Sequence, residues 1–221
     1  MSILLVGVTE TFAVVASDSF MSGEKSRHHF PKIMEYPNNI CAFAVGNAGI
    51  GVTFFKSLKN GISVLKNNFC WDDGIGITQA VAEYVKRDPV FSSSYAGIGI
   101  CGIKGPIPTY YRMGIDCSAN QTVDELVTTR GAFQYHLFSP SDLQSQICES
   151  IFITNTLRIA DNSHLGKQTE NSLLSHNDVI AAFERTVCTL SPASQVIDDD
   201  VQYWAYDCTM QKRNSRIFEL W

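Results

Sequence analysis

Residues 2–8 form an apolar, β-rich run, and Phe12 to Ser17 forms a second. Thr9-Glu10-Thr11 is the polar break between them, so the chain is expected to open on a hairpin. Ser22 to His29 is polar and reads as a loop. Lys32 to Tyr36 and Ile40 to Val45 predict two more strands joined through Pro37-Asn38-Asn39, residues suited to a tight reversal. From Asn47 the period changes. Ile50, Phe54, Leu58, Ile62 and Leu65 recur at helical spacing, and Gly74 to Arg87 follows as a second helix stopped by Asp88-Pro89. Tyr95 to Ile103 and Thr109 to Ile115 alternate like a hairpin across Lys104-Gly105-Pro106. Ser141-Asp142 can cap a helix running to about Ala160, and Asn177 another to about Leu190. Val201 to Asp207 and Arg216 to Leu220 read as closing strands.

Strands, two helices, strands, two helices and strands bury their apolar faces most simply as an α+β, four-layer αββα sandwich. Two antiparallel sheets stack face to face, and a helical pair covers each outer face. No repeat, low-complexity tract or shift in composition marks a boundary, so residues 1–221 are expected to make one domain. With 45% hydrophobic and 18% charged residues the chain can build a sizeable core, which argues against disorder. The net charge is −5 and the 17 Lys and Arg are scattered, so the footprint of a nucleic-acid binder is missing. The amino-terminal apolar run lacks a basic flank and is too short for a signal peptide. No stretch reaches the roughly 18–20 apolar residues that cross a bilayer, so no membrane partner and a cytoplasmic location are expected. Seven cysteines, odd in number and without a CxxC pair, lie mostly in apolar segments, the habit of reduced buried thiols and not of disulfides or structural zinc.

Ser2, the Val14-Val15-Ala16-Ser17-Asp18-Ser19 segment, Lys32-Ile33 and Ala44-Val45-Gly46-Asn47-Ala48-Gly49 together resemble the opening of the proteasome β-subunit family of N-terminal-nucleophile (Ntn) hydrolases. With Met1 removed, which a small residue at position two favours, Ser2 becomes the first residue. Val14-Val15-Ala16-Ser17-Asp18-Ser19 is similar to the family's Ala-Asp-Ser element, Lys32-Ile33 opens the next strand, and Ala44-Val45-Gly46-Asn47-Ala48-Gly49 resembles its oxyanion segment. Asp18 falls at the family's spacing from the nucleophile without a gap, and Lys32 needs a gap of two. The resemblance implies catalytic roles for Ser2, Asp18, Lys32 and the Gly46 N–H. It further implies a substrate pocket lined by Met21, Phe30, Met34, Ala44 and Ala48, all apolar, which would accept an apolar side chain or acyl group. The chemistry accounts for these types. An N-terminal serine carries both a hydroxyl and an α-amine of pKa near about 8 that can serve as its base. A lysine ammonium beside the hydroxyl favours the alkoxide, and an aspartate offsets the lysine's desolvation.

Later residues depart from the pattern. The family's Asp and Ser, three apart after the last long helix, correspond to Cys188 and Ser191 here, and its upstream Ser-Gly to Thr129 within Thr128-Thr129-Arg130-Gly131. Thr129 and Ser191 are the candidate hydroxyls. The expected activity is hydrolysis of a peptide or amide bond through Ser2, without a cofactor or metal, in a homo-oligomer or ring. A catalytically inactive scaffold is the alternative, which a retained Met1 would produce, and acyl transfer to an amine is a third outcome of the same acyl-enzyme. Gly97-x-Gly99-x-x-Gly102 matches a dinucleotide fingerprint in letters but lies in an expected strand and opens no helix. His28-His29 lacks a third ligand and reads as a solvated pair, Asp198-Asp199-Asp200 as a solvated turn, and Cys188 as a buried helical thiol.

Overall fold

A computed structural model describes residues 2–18, 31–129, 131–140, 142–164, 174–195, 197 and 200–217. The opening hairpin pairs β1 (Leu4–Val8) with β2 (Phe12–Asp18), and the Thr9 hydroxyl oxygen accepts from the Thr11 and Phe12 N–H groups to close its turn. Next come β3 (Ile33–Tyr36) and β4 (Ile40–Gly46). Asn38 and Asn39 take positive φ in the reversal between them, a conformation asparagine tolerates better than most residues. Helices α1 (Ala48–Leu65) and α2 (Trp71–Arg87) lead into β5 (Tyr95–Lys104), β6 (Ile107–Asp116), β7 (Gln121–Thr128) and β8 (Gln134–Phe138). Helices α3 (Ser145–His164) and α4 (His176–Leu190) precede β9 (Val201–Asp207) and β10 (Lys212–Arg216).

Among the described residues these strands make two five-stranded antiparallel sheets, ordered β10-β9-β2-β1-β8 and β3-β4-β5-β6-β7. Three apolar layers hold them. Leu4, Val6, Val15, Phe43, Tyr110 and Trp204 pack between the sheets. Ile50, Phe54 and Leu58 of α1 cover Ile98 and Ile100 of β5, while Phe152 of α3 with Phe183 and Val187 of α4 cover Ile3, Leu5 and Val14. Because β1 is buried on both faces it is apolar at every position instead of alternating, which is why its sequence reads as a continuous run. The expected αββα sandwich is what the chain forms.

Several boundaries shift for local reasons. Helix α2 begins at Trp71, where Asp73 accepts from the Cys70 N–H and closes a capping box. Asp142 does not cap α3; its carboxylate accepts from the Ser194 hydroxyl at 2.9 Å and the Gln195 N–H at 2.9 Å. The cap of α4 is Ser175 and not Asn177, with Asp178 returning the bond to the Ser175 N–H. The last strand among the described residues is Lys212–Arg216, and most of the expected Arg216–Leu220 lies outside the described residues. Strands β7 and β8 had no counterpart in the sequence reading: both are edge strands, and β7 is exposed along most of its length. Gly97, Gly99 and Gly102 lie within β5 as expected, where Phe138, Phe43 and the Asn39 carbonyl occupy the space a side chain would need. Among the described residues no helix is long and apolar enough to cross a membrane.

Candidate active site at the open end of the first hairpin

Strand β1 starts at Leu4 opposite Ser17 of β2, so the hairpin's open end brings Ser2 and Ile3 beside Asp18. There the Asp18 carboxylate, fully buried, accepts from the Lys32 ammonium at 2.9 Å and, through the same oxygen, from the Ile3 N–H at 3.1 Å. Lys32 is itself buried, and so is Ser2. Two charges thus sit in the interior one residue from Ser2. Neighbouring polar groups orient them. The Ser17 hydroxyl donates to the Ile3 carbonyl at 3.0 Å, and buried Gln202 of β9 accepts from the Lys32 N–H at 3.3 Å while its amide lies 3.5 Å from the Asp18 carbonyl. The Ala44 N–H donates to the Lys32 carbonyl at 2.8 Å, tying the lysine to β4 two residues before Gly46.

Gly46 ends β4 with φ +95°, and a Cβ there would stand 2.5 Å from the Tyr95 carbonyl oxygen, so both the conformation and the space require glycine. Asn47 then caps α1, accepting from Gly49 and Ile50 and donating to the Ser94 hydroxyl at 2.9 Å. Ala44 is buried under α1, Met34 packs on the same apolar cluster, and Ala48 is the first residue of α1. Met34 and Ala44 thus lie on the face that α1 covers, and Ala48 opens that helix. Met21 and Phe30, with His28 and His29, lie outside the described residues.

Thr129 is not in this site. It follows Thr128 of β7, whose register runs through Thr109 and Gly102 to Ile40, the end of the sheet away from Gly46. Six strand residues, roughly 20 Å, separate the two rows. Its hydroxyl serves a local turn, accepting from the Gly131 N–H and donating to the Ala132 carbonyl. The hydroxyl that does approach is Ser139. Strand β8 ends with Phe138 opposite Leu4, so the chain continues past Ile3 and Ser2, and the Ser139 oxygen is buried against the Cys148 thiol. Ser17, Gln202 and Ser139 were all missed; only the register of β8 and β9 on the hairpin identifies them.

Ser191 follows the last residue of α4. That helix starts with His176 beside Phe12, 6.2 Å between rings, and so ends toward Asp18, which puts Ser191 on the Ser2 side of the sheet. Cys188 is exposed and not buried, because Phe183, Thr186, Val187 and Leu190 occupy the inward face of α4. Of the acidic triplet, Asp198 and Asp199 lie outside the described residues, and Asp200 pairs with Arg216 at 2.8 Å. Among the described residues no three His, Cys, Asp or Glu side chains converge as a metal site.

Two stacked antiparallel sheets sandwiched between helical pairs make a four-layer αββα fold. The chain is similar to the crystal structure of eukaryotic HslV from Trypanosoma brucei, with a TM-score of 0.54 over 93% of this chain and 99% of that one. Identity is 10%, so the likeness is one of fold. No family model matches the chain, and no curated protein matches it.

Proposed function

We propose that the protein is an N-terminal serine hydrolase of peptide or amide bonds, active once Met1 has been removed. In this reading the Ser2 hydroxyl attacks the carbonyl carbon and its own α-amine takes the proton. The amine then returns the proton to the departing nitrogen, and water resolves the ester left on Ser2. Lys32 holds positive charge beside the hydroxyl, Asp18 fixes Lys32, and the Gly46 N–H donates to the tetrahedral oxyanion, a role that carries about 3 kcal/mol where it has been removed in other enzymes. Ser139, Ser191 or both orient the amine. The apolar residues at the β4–α1 junction receive the side chain on the acyl side.

The carrying observation is the buried Lys32–Asp18 pair, bonded through one carboxylate oxygen to the residue after Ser2. A buried ion pair adds little stability over a well-packed apolar replacement, so its place next to an N-terminal serine favours a chemical role. Seven free thiols, four of them buried, suit a reducing compartment and support a cytoplasmic location. The exposed apolar side chains Ile147, Ile153 and Leu157 of α3 support assembly into a homo-oligomer or ring.

The test is hydrolysis of fluorogenic peptide amides by three forms: the native chain, Ser2→Ala, and a chain carrying an uncleavable amino-terminal extension. Activity in the native chain alone is expected. Equal activity in the extended chain would remove the amine from the mechanism, and no activity in any form would favour an inactive scaffold.

A further inference from the structure

A cleft of about 490 Å³ runs along the free edge of β8, between that strand, Tyr95 at the start of β5 and the first turns of α3. Its floor is Tyr135 to Ser139, and Ser145 and Glu149 rise from α3. Glu149 is the one charged side chain among its lining residues, and the Tyr135 hydroxyl donates to one of its carboxylate oxygens at 3.2 Å. His136 is neutral at physiological pH, since burial and then the nearby Arg112 push it down to about 4. Arg112 is itself held on Glu125 at 2.6 Å, so its charge is matched. Tyr135 is stacked on Phe133 and meets Phe152 edge-on, so the cleft offers one carboxylate, the exposed Tyr95 ring and no cation of its own. A cation–π face next to an acid is the environment that selects a guanidinium.

Its position gives it a use. Phe138 is opposite Leu4, so the Ser139 end of the cleft reaches the Ile3–Ser2 end of β1. The residues expected to hold the acyl side chain, Met34, Ala44 and Ala48, lie toward the β4–α1 junction, which meets the cleft at Tyr95, whose carbonyl accepts from the Asn47 N–H. We propose that this cleft binds an arginine side chain on the leaving-group side of the scissile bond, Glu149, oriented by the Tyr135 hydroxyl, meeting the guanidinium and the Tyr95 ring covering it. The proposal rests on Ser2 being the nucleophile only for the direction in which the substrate lies.

Binding is measured in the Ser2→Ala protein, which cannot turn over substrate, with N-acetylarginine methylamide and its uncharged citrulline counterpart at low ionic strength. The arginine probe should bind about tenfold more tightly. That preference should vanish in Glu149→Gln, weaken in Tyr95→Ala and shrink in high salt, as a half-open charge contact requires. Glu149 and Tyr95 are exposed, and a circular dichroism spectrum identical to wild type confirms folding. In the wild-type enzyme, peptides with arginine just after the scissile bond should show KM lowered by a similar factor with kcat unchanged. Equal binding of the two probes, or a preference that survives Glu149→Gln, overturns the proposal. Arginine preference in a protein without hydrolase activity would instead refute the serine nucleophile and leave the cleft standing.

Discussion

At the residue scale the Lys32–Asp18 pair sets the strongest expectations, because each charge is tolerated in the interior only while the other is present. Lys32→Met or Asp18→Asn alone should lower unfolding stability by about 3–5 kcal/mol. The double variant should lose far less than the sum, a coupling read from denaturant midpoints of the four proteins. Activity should be lost in all three variants, since stability returns in the double variant but the ammonium does not. Gly46→Ala forces a Cβ against the Tyr95 carbonyl at positive φ and should cost at least about 1–2 kcal/mol in the same assay. His136 gives a pH dependence of defined sign. Its folded pKa is lowered from 6.5 to about 4, so above 6.5 it is neutral in both states and contributes no slope. As the pH falls from 6.5 toward 4 the unfolded chain takes up a proton that the folded chain refuses, and stability is lost. His136→Gln should flatten that part of the profile, seen by comparing denaturant midpoints at pH 7 and 4.5 with wild type. Asp18, Lys32 and Gly46 were legible in the sequence because they lie close to the first hairpin, where counting along the chain locates them. Thr129 was misplaced because its position depends on strands that the count did not include.

The elements show where a pattern of apolar residues carries information and where it stops. Strands β1, β2 and β4 are buried on both faces and α1 on one, so their residues announce them. Strands β7 and β10 are sheet edges held by main-chain pairing, with side chains that are largely polar or exposed, and nothing in their composition demands a strand; β8, also an edge, packs Tyr135, Leu137 and Phe138 on the apolar layers but is only five residues long. The missing β8 also hid Ser139, and β10 was not foreseen for lack of an apolar face. Helix ends depend on single bonds and were read only to within a few residues. Ser175→Ala should remove the reciprocal cap with Asp178 and destabilise by about 1 kcal/mol, whereas Asn177→Ala should change little, a contrast that thermal or chemical unfolding resolves.

For the whole molecule, three apolar layers between four layers of secondary structure explain how a chain sharing 10% identity with the HslV structure adopts the same sandwich. Apolar cores of the right volume and pattern tolerate extensive change of residue identity. The layer order was legible from the blocks of strands and helices; an assembly would not be, because it would depend on surface residues and not on the apolar pattern of one chain. Ile147, Ile153 and Leu157 on α3 predict that sedimentation will give a mass several times that of one chain, and that Ile153→Asp with Leu157→Asp will shift it toward the single chain. The mechanism stands on Ser2 being both nucleophile and amino terminus. The most direct measurement is the intact mass of the native protein before and after a β-lactone electrophile, beside Ser2→Ala and Lys32→Ala. A mass lacking Met1, with one adduct in wild type and none in either variant, is the predicted result; a retained Met1 without an adduct would contradict it.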